Sequence, residues 1–230
     1  YTVLLPSSYS ARGFCDKHVD FDKAPKTFDE KTEQIVSRVY DFDAAARYLC
    51  DRPEVDCDRM GLLGFSQGAT MVMMALHWQL DHAITAFRER HGDDYDIEIP
   101  DLKPGRPEFQ VGIAYYPGCG FDGVIPTTTD SDTPITDKYL PTAPLTILHG
   151  TEDPLIQHCS ADHGPGAREL QADQLTKKFK IFNTYGLKVY NDAAHSFDSN
   201  DKGGEAGGKG DVAAKKDALK ITLAQLVKHL

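Results

Sequence analysis

Five short apolar segments divide this sequence, and four of them read as continuous apolar runs. They are TVLLP (Thr2 to Pro6), MGLLGF (Met60 to Phe65), FQVGIAYYP (Phe109 to Pro117), PLTILHG (Pro144 to Gly150) and LKVYND (Leu187 to Asp192). A strand with one wet face alternates polar and apolar residues, whereas a strand covered on both faces need not. Segments of helical period lie between the runs. From Thr32 to Asp51, residues Ile35, Val36, Val39, Phe42, Ala45, Ala46 and Leu49 recur at three- and four-residue spacing. Gln67 to Leu80 is an apolar helix, Glu169 to Phe182 reads as another, and Asp211 to Leu230 closes the chain. In that last helix Ala218, Leu219, Ile221, Leu223, Leu226 and Val227 fall on or near one face. The alternation predicts an α/β protein with a mainly parallel sheet and helices on both faces. In such sheets functional groups gather at the carboxyl ends of the strands.

The remaining segments read as loops: residues 7–29, 91–108 and 118–141, and the glycine-rich DKGGEAGGKG at 201–210. No internal repeat is present. With 230 residues, 40% of them hydrophobic, the chain can bury one sizeable core. A net charge of −10 argues against nucleic acid and anionic membranes as partners, because both select basic patches. No apolar run approaches the roughly 18 residues of a membrane span. The first residues have neither the basic start nor the cleavage site of a signal peptide. Five cysteines, Cys15, Cys50, Cys57, Cys119 and Cys159, include no CxxC pair. Isolated buried thiols are the plainest reading of each, although Cys50 and Cys57 bracket a short loop that allows a local disulfide, and Cys119 and Cys159 each follow a strand and could also meet. Five cysteines fit a reduced cytoplasmic protein or a secreted or periplasmic one, so compartment stays open, as does oligomeric state.

Chemistry concentrates after the second run. GFSQG, Gly64 to Gly68, places Ser66 between an apolar strand and an apolar helix. A serine on a sharp strand-to-helix turn is held in a strained backbone conformation with its hydroxyl exposed, and flanking glycines allow close passage of the backbone. The backbone N–H of Gln67, at the helix start, would face an oxyanion forming there. A serine hydroxyl needs a base at neutral pH. His195 follows the last strand directly, whereas the other eight histidines lie within elements, in loops or on polar faces. The acid that orients such a base is expected between serine and histidine in chain order. Asp153, just past PLTILHG, fills that place, with Glu152 as its neighbouring rival. The HCSADH segment holds His158, Cys159, Asp162 and His163, but its spacing matches no zinc pattern. It reads as a polar loop, and no metal or other cofactor is required.

The blocks VLLPSSYSARGF, ARYLCDRPEVDCDRMGLLGFSQGA, VGIAYYPGCG, LTILHGTEDP and KVYNDAAHSFD resemble, in order, consecutive parts of the dienelactone hydrolase family of α/β-hydrolases. The resemblance implies an α/β-hydrolase fold over one domain, residues 1–230, with Ser66, Asp153 and His195 as its triad. Two features depart from the family pattern. The namesake enzymes use a cysteine nucleophile, so Ser66 favours a general carboxylester hydrolase. A His-Gly loop after an earlier strand normally supplies a second oxyanion donor, and no such loop precedes TVLLP. The expectation is therefore a chain lacking the first strands of the fold, since the absent strand would lie between TVLLP and MGLLGF.

The reading is a serine hydrolase for a small carboxylic ester or lactone, working through an acyl-enzyme. A peptidase or acyltransferase on the same triad is the alternative among enzymes, and a non-catalytic α/β-hydrolase-like binding protein is the alternative outside them. Arg12, in SARG, could bind a substrate carboxylate, though pinning its own loop is the favoured role.

Overall fold

A computed structural model describes residues 1–6, 28–77, 80, 105, 107–118, 141–158, 185–199 and 209–230. The chain falls into two compact units. The first comprises residues 1–57, 81–107 and 122–126, and the second comprises 58–80, 108–121 and 127–230.

In the first unit, helix α1 spans Phe28–Cys50, longer at its start than the periodicity predicts. Val39 and Ala46 are buried. Asp43, on the same helix, is also buried and accepts a hydrogen bond from Arg47 Nε at 2.8 Å, one turn on. The helix ends in a turn closed by a Cys50–Cys57 disulfide, the local pairing that the spacing allows. TVLLP is not a strand. Residues 1–6 have no regular structure, and Tyr1, Val3 and Leu5 are exposed. Apolar composition forms a strand only where a neighbouring ladder takes up its N–H and C=O groups. This segment has no such ladder among the described residues.

The second unit is built on four parallel strands in the order β1 (Gly61–Phe65), β2 (Val111–Tyr115), β3 (Leu145–Gly150) and β4 (Tyr185–Tyr190). The registers pair Gly61 with Val111, Gly112 with Leu145 and Leu145 with Tyr185. All five residues of β2 are buried, as a doubly covered strand requires. Helix α2 (Gln67–Ala75) packs on β1 and β2. It approaches so closely that a Cβ on Gly112 would lie 2.4 Å from the Leu76 side chain and 3.1 Å from Val72. Val111, Ile113 and Tyr115 point the other way, into a cluster with Ala214 and Ala218 of helix α3 (Asp211–His229). Alternate residues of one strand thus serve two helices on opposite faces.

Three further expectations are corrected. MGLLGF is expected to be covered on both faces, but Leu63 and Phe65 are about half exposed (47% and 44%) on β1, the edge strand among the described residues. The sequence places His77 inside a helix. Instead α2 stops at Ala75, and His77 forms an isolated antiparallel bridge with Pro141. The buried face of α3 carries Ala214, Ala218 and Thr222, while Leu219, Leu223 and Val227 are exposed. Small residues at a four-residue interval let the helix lie close to β2, where Thr222 Oγ1 is 2.7 Å from Tyr115 Oη. The helix expected at 169–182 lies outside the described residues.

Candidate active site

The parallel ladder continues one residue past β1, β2 and β3. Ser66 N–H donates to Tyr115 O (2.9 Å), Tyr116 N–H to Leu148 O (2.7 Å) and Thr151 N–H to Tyr190 O (3.0 Å). These bonds bring three connections to one carboxyl edge.

Ser66 sits between β1 and α2 with φ 50° and ψ −120°, a left-handed conformation that costs a non-glycine residue roughly 1–3 kcal/mol. Its carbonyl accepts from Ala69 N–H (2.9 Å) and Thr70 N–H (3.1 Å), which starts the helix. The two glycines of the turn have different roles. A Cβ on Gly64 would lie 2.2 Å from the Gly68 carbonyl oxygen, so the backbone of the first helical turn occupies the space that a side chain would need. A Cβ on Gly68 would meet nothing within 4 Å. Gln67 is the first residue of α2, so its backbone N–H belongs to the first turn of that helix beside Ser66.

Asp153 follows β3 and is buried, while Glu152 is exposed, which separates the two rivals. The turn is placed by a close approach. A Cβ on Gly150 would lie 2.1 Å from Ala193 O, and Glu152 N–H donates to that same carbonyl at 2.9 Å. One Asp153 oxygen accepts from Leu155 N–H (2.9 Å), and the other lies 2.7 Å from His195 Nδ1. Burial alone would raise the Asp153 carboxyl. The bonds from His195 and Leu155 outweigh it and hold the group below the usual carboxylate range.

His195 lies on the turn after β4. A carboxylate only accepts, so Nδ1 carries the imidazole proton and Nε2 presents its lone pair. Ser66 Oγ is 2.9 Å from Nε2, in position to donate. Ser66, His195 and Asp153, drawn from positions 66, 195 and 153 of the chain, therefore form one continuous hydrogen-bonded row.

Three residues around that row belong to no motif in the sequence. His149, fully buried on β3, donates Nε2–H to Pro117 O (3.1 Å), and its Nδ1 lies 3.5 Å from the Asp153 oxygen that holds His195. Burial lowers its basicity, against the opposing pull of Asp153. Tyr116, with φ 40°, sets its ring edge-on to His195 at 4.8 Å between centroids. Its hydroxyl, which burial and Asp198 hold well above the usual phenol range, donates to Asp198 Oδ1. Asp211, at the start of α3, accepts from Ala194 N–H at 2.7 Å. The only advance sign of any of these was position: each lies at or just beyond the end of a strand, or at a helix start.

Arg12 lies outside the described residues, as do Cys159, Asp162 and His163 of the HCSADH segment. Among the described residues, no three histidine, cysteine, aspartate or glutamate side chains come together to hold a metal ion. No described helix is long and apolar enough to cross a membrane.

A parallel sheet covered by helices, with a strained serine at a strand-to-helix turn, is the architecture of an α/β-hydrolase. The chain belongs to the dienelactone hydrolase family, whose model matches residues 1–230. No curated protein sequence matches it significantly. Among solved structures it is similar to a dienelactone hydrolase-like promiscuous phosphotriesterase from metagenomic libraries, with 14% identity and a TM-score of 0.46, covering 86% of this chain and 62% of that one. It is also similar to an esterase of the planctomycete Thermogutta terrifontis (17% identity, TM-score 0.46, 84% of this chain and 65% of that one). A third is the carboxylesterase Cest-2923 of Lactobacillus plantarum (18%, 0.42, 84% and 68%). The chain spans less than two thirds of the length of the first two.

Proposed function

We propose that this protein is a serine hydrolase that cleaves small carboxylic esters or lactones through an acyl-enzyme, with residues 1–230 acting as one α/β-hydrolase domain. The observation that carries the reading is the unbroken row from Ser66 Oγ to His195 Nε2, at 2.9 Å, and from His195 Nδ1 to Asp153, at 2.7 Å. Ser66 Oγ attacks the carbonyl carbon while its proton passes to His195 Nε2. Asp153 stays ionised, fixes the tautomer and stabilises the imidazolium. The oxyanion accepts from Gln67 N–H, supported by the start of α2. As the tetrahedral centre collapses, the C–O bond to the alcohol breaks and His195 gives the leaving oxygen its proton. Water then attacks the Ser66 ester by the same route in reverse roles, releasing the acid and restoring the serine. Each step uses groups of the chain itself, and none calls for a metal or redox cofactor. The family's carboxylic-ester chemistry supports the substrate class. The net charge of −10 favours a small molecule over a polyanion.

The test is hydrolysis of p-nitrophenyl acetate and butyrate by the protein beside its Ser66→Ala variant. Turnover that disappears with the hydroxyl is the expected result. Turnover that survives Ser66→Ala would remove Ser66 from the mechanism.

A further inference from the structure

The turn that carries His195 is held differently on its two sides. Upstream, backbone groups are fixed by donors and acceptors outside the turn: Ala193 O by Glu152 N–H (2.9 Å), Ala194 N–H by Asp211 Oδ1 (2.7 Å), Asp192 N–H by Thr151 Oγ1 (2.9 Å) and Asp192 O by Gly210 N–H (2.8 Å). Downstream, Ser196 is in the left-handed region at φ 59°, and Ser199 N–H closes back onto Ser196 O (2.9 Å). That half is anchored by the burial of Phe197 and by the bond from Tyr116 Oη to Asp198 Oδ1. Tyr116 is well suited to this task. It is 3% exposed, its N–H is bound to Leu148 O at the sheet edge, and its ring lies edge-on to both His195 (4.8 Å) and Phe197 (5.3 Å). One side chain rooted in the sheet therefore packs beside the imidazole and fixes the residue three positions beyond it.

We infer that Tyr116 and Asp198 form a positioning pair: their hydrogen bond holds His195 in register between Ser66 and Asp153. The inference rests on the serine-hydrolase reading for its kinetic consequence but not for its structural one. A residue so placed acts on the geometry of proton transfer, where a small misplacement of the base costs rate more than it costs substrate binding.

Three variants and their combination test it. Tyr116→Phe keeps the ring against His195 and removes the donor. Asp198→Ala removes the acceptor, and Asp198→Asn keeps an oxygen that can still accept. The expected result on p-nitrophenyl esters is a kcat lower by roughly tenfold in Tyr116→Phe and Asp198→Ala, with KM within about twofold. Asp198→Asn should stay near the parent, and the Tyr116→Phe/Asp198→Ala double variant should be no slower than either single change. Imidazole-nitrogen NMR, with the His195 signal assigned by its loss in His195→Gln, gives a readout independent of turnover. Solvent exchange of the His195 Nδ1 proton should speed up by about tenfold in Tyr116→Phe and Asp198→Ala, but not in Asp198→Asn. Identical exchange in the parent and all three variants would overturn the pair, as would multiplicative losses in the double variant. An inactive parent would instead sink the hydrolase reading, while the exchange measurement would still decide whether the pair positions His195.

Discussion

The turn that presents Ser66 and the turn that presents His195 solve the same problem by opposite means. The serine turn is held by its own backbone: φ 50° at Ser66, and a first helical turn lying where a Gly64 side chain would be. Apart from one tie to the next strand, Ser66 N–H to Tyr115 O, its determinants fall within Gly64 to Thr70. The histidine turn is held from outside, by Thr151, Glu152, Tyr116 and Asp211, residues 17 to 82 positions away from their partners. A locally specified turn should be brittle to a single atom placed in it. A remotely specified turn should weaken by degrees as its supports are removed one at a time.

The largest effect is expected at the residue of a third turn that holds the histidine, Asp153. Asp153→Asn keeps the shape of the side chain but removes its charge, and its NH2 group can face His195 Nδ1 and favour the wrong tautomer. It is expected to lower kcat by about 10⁴-fold with little change in fold. A loss below about tenfold, read from single-turnover acylation, would mean that tautomer control lies elsewhere.

Next in size are one change in each turn. Gly64→Ala puts a Cβ at 2.2 Å from a backbone oxygen that cannot move without displacing the start of α2. Denaturant unfolding should show a loss of roughly 1–3 kcal/mol, together with impaired acylation. Asp211→Ala strips the acceptor from the buried Ala194 N–H and should cost about 1–3 kcal/mol, with Asp211→Asn recovering part of it. If Gly64→Ala proves as mild as a surface change, the serine turn is not sterically locked, and the contrast fails on that side. A smaller effect of opposite sign separates the two glycines. Gly68→Ala adds a methyl to open space within a helix and should stabilise by about 0.5–1 kcal/mol.

This difference also explains what could be read in the sequence. The serine turn was legible because spacing over five residues dictates its geometry. The order Ser66, Asp153, His195 was legible because strand ends can be located from apolar runs. Tyr116 paired with Asp198, and Asp211 with Ala194, are joined only after the sheet has formed, so no window of sequence contains both partners. Helix α3 was legible as a helix, and Ala218, Ile221 and Leu226 lie on the core side as read, but the rest of its face was not. Hydropathy ranks Leu219, Leu223 and Val227 above Ala214, but close approach to β2 selects side-chain size. TVLLP failed because apolar character says nothing about whether a ladder is there to receive it.

The smallest expected effect concerns the second imidazole on the Asp153 carboxylate. His149 and His195 approach the same oxygen, at 3.5 Å and 2.7 Å, but His149 is fully buried. Burial is the largest influence on it, and the pull of Asp153 does not overcome that influence, so its folded-state pKa lies below the ordinary 6.5. The sign follows from proton linkage. As pH falls below about 6.5, the unfolded chain takes up a proton that the folded chain refuses, so stability declines until the folded pKa is reached. His149→Gln keeps a donor for Pro117 O and removes the titration. The stability lost between about pH 7.5 and about pH 5.5 should therefore be smaller in the variant than in the parent, measured by urea unfolding at both values. Equal losses would mean that His149 takes up its proton as readily folded as unfolded. The His149 imidazolium would then stand beside Asp153, and the histidine turn would have an electrostatic support that the serine turn lacks.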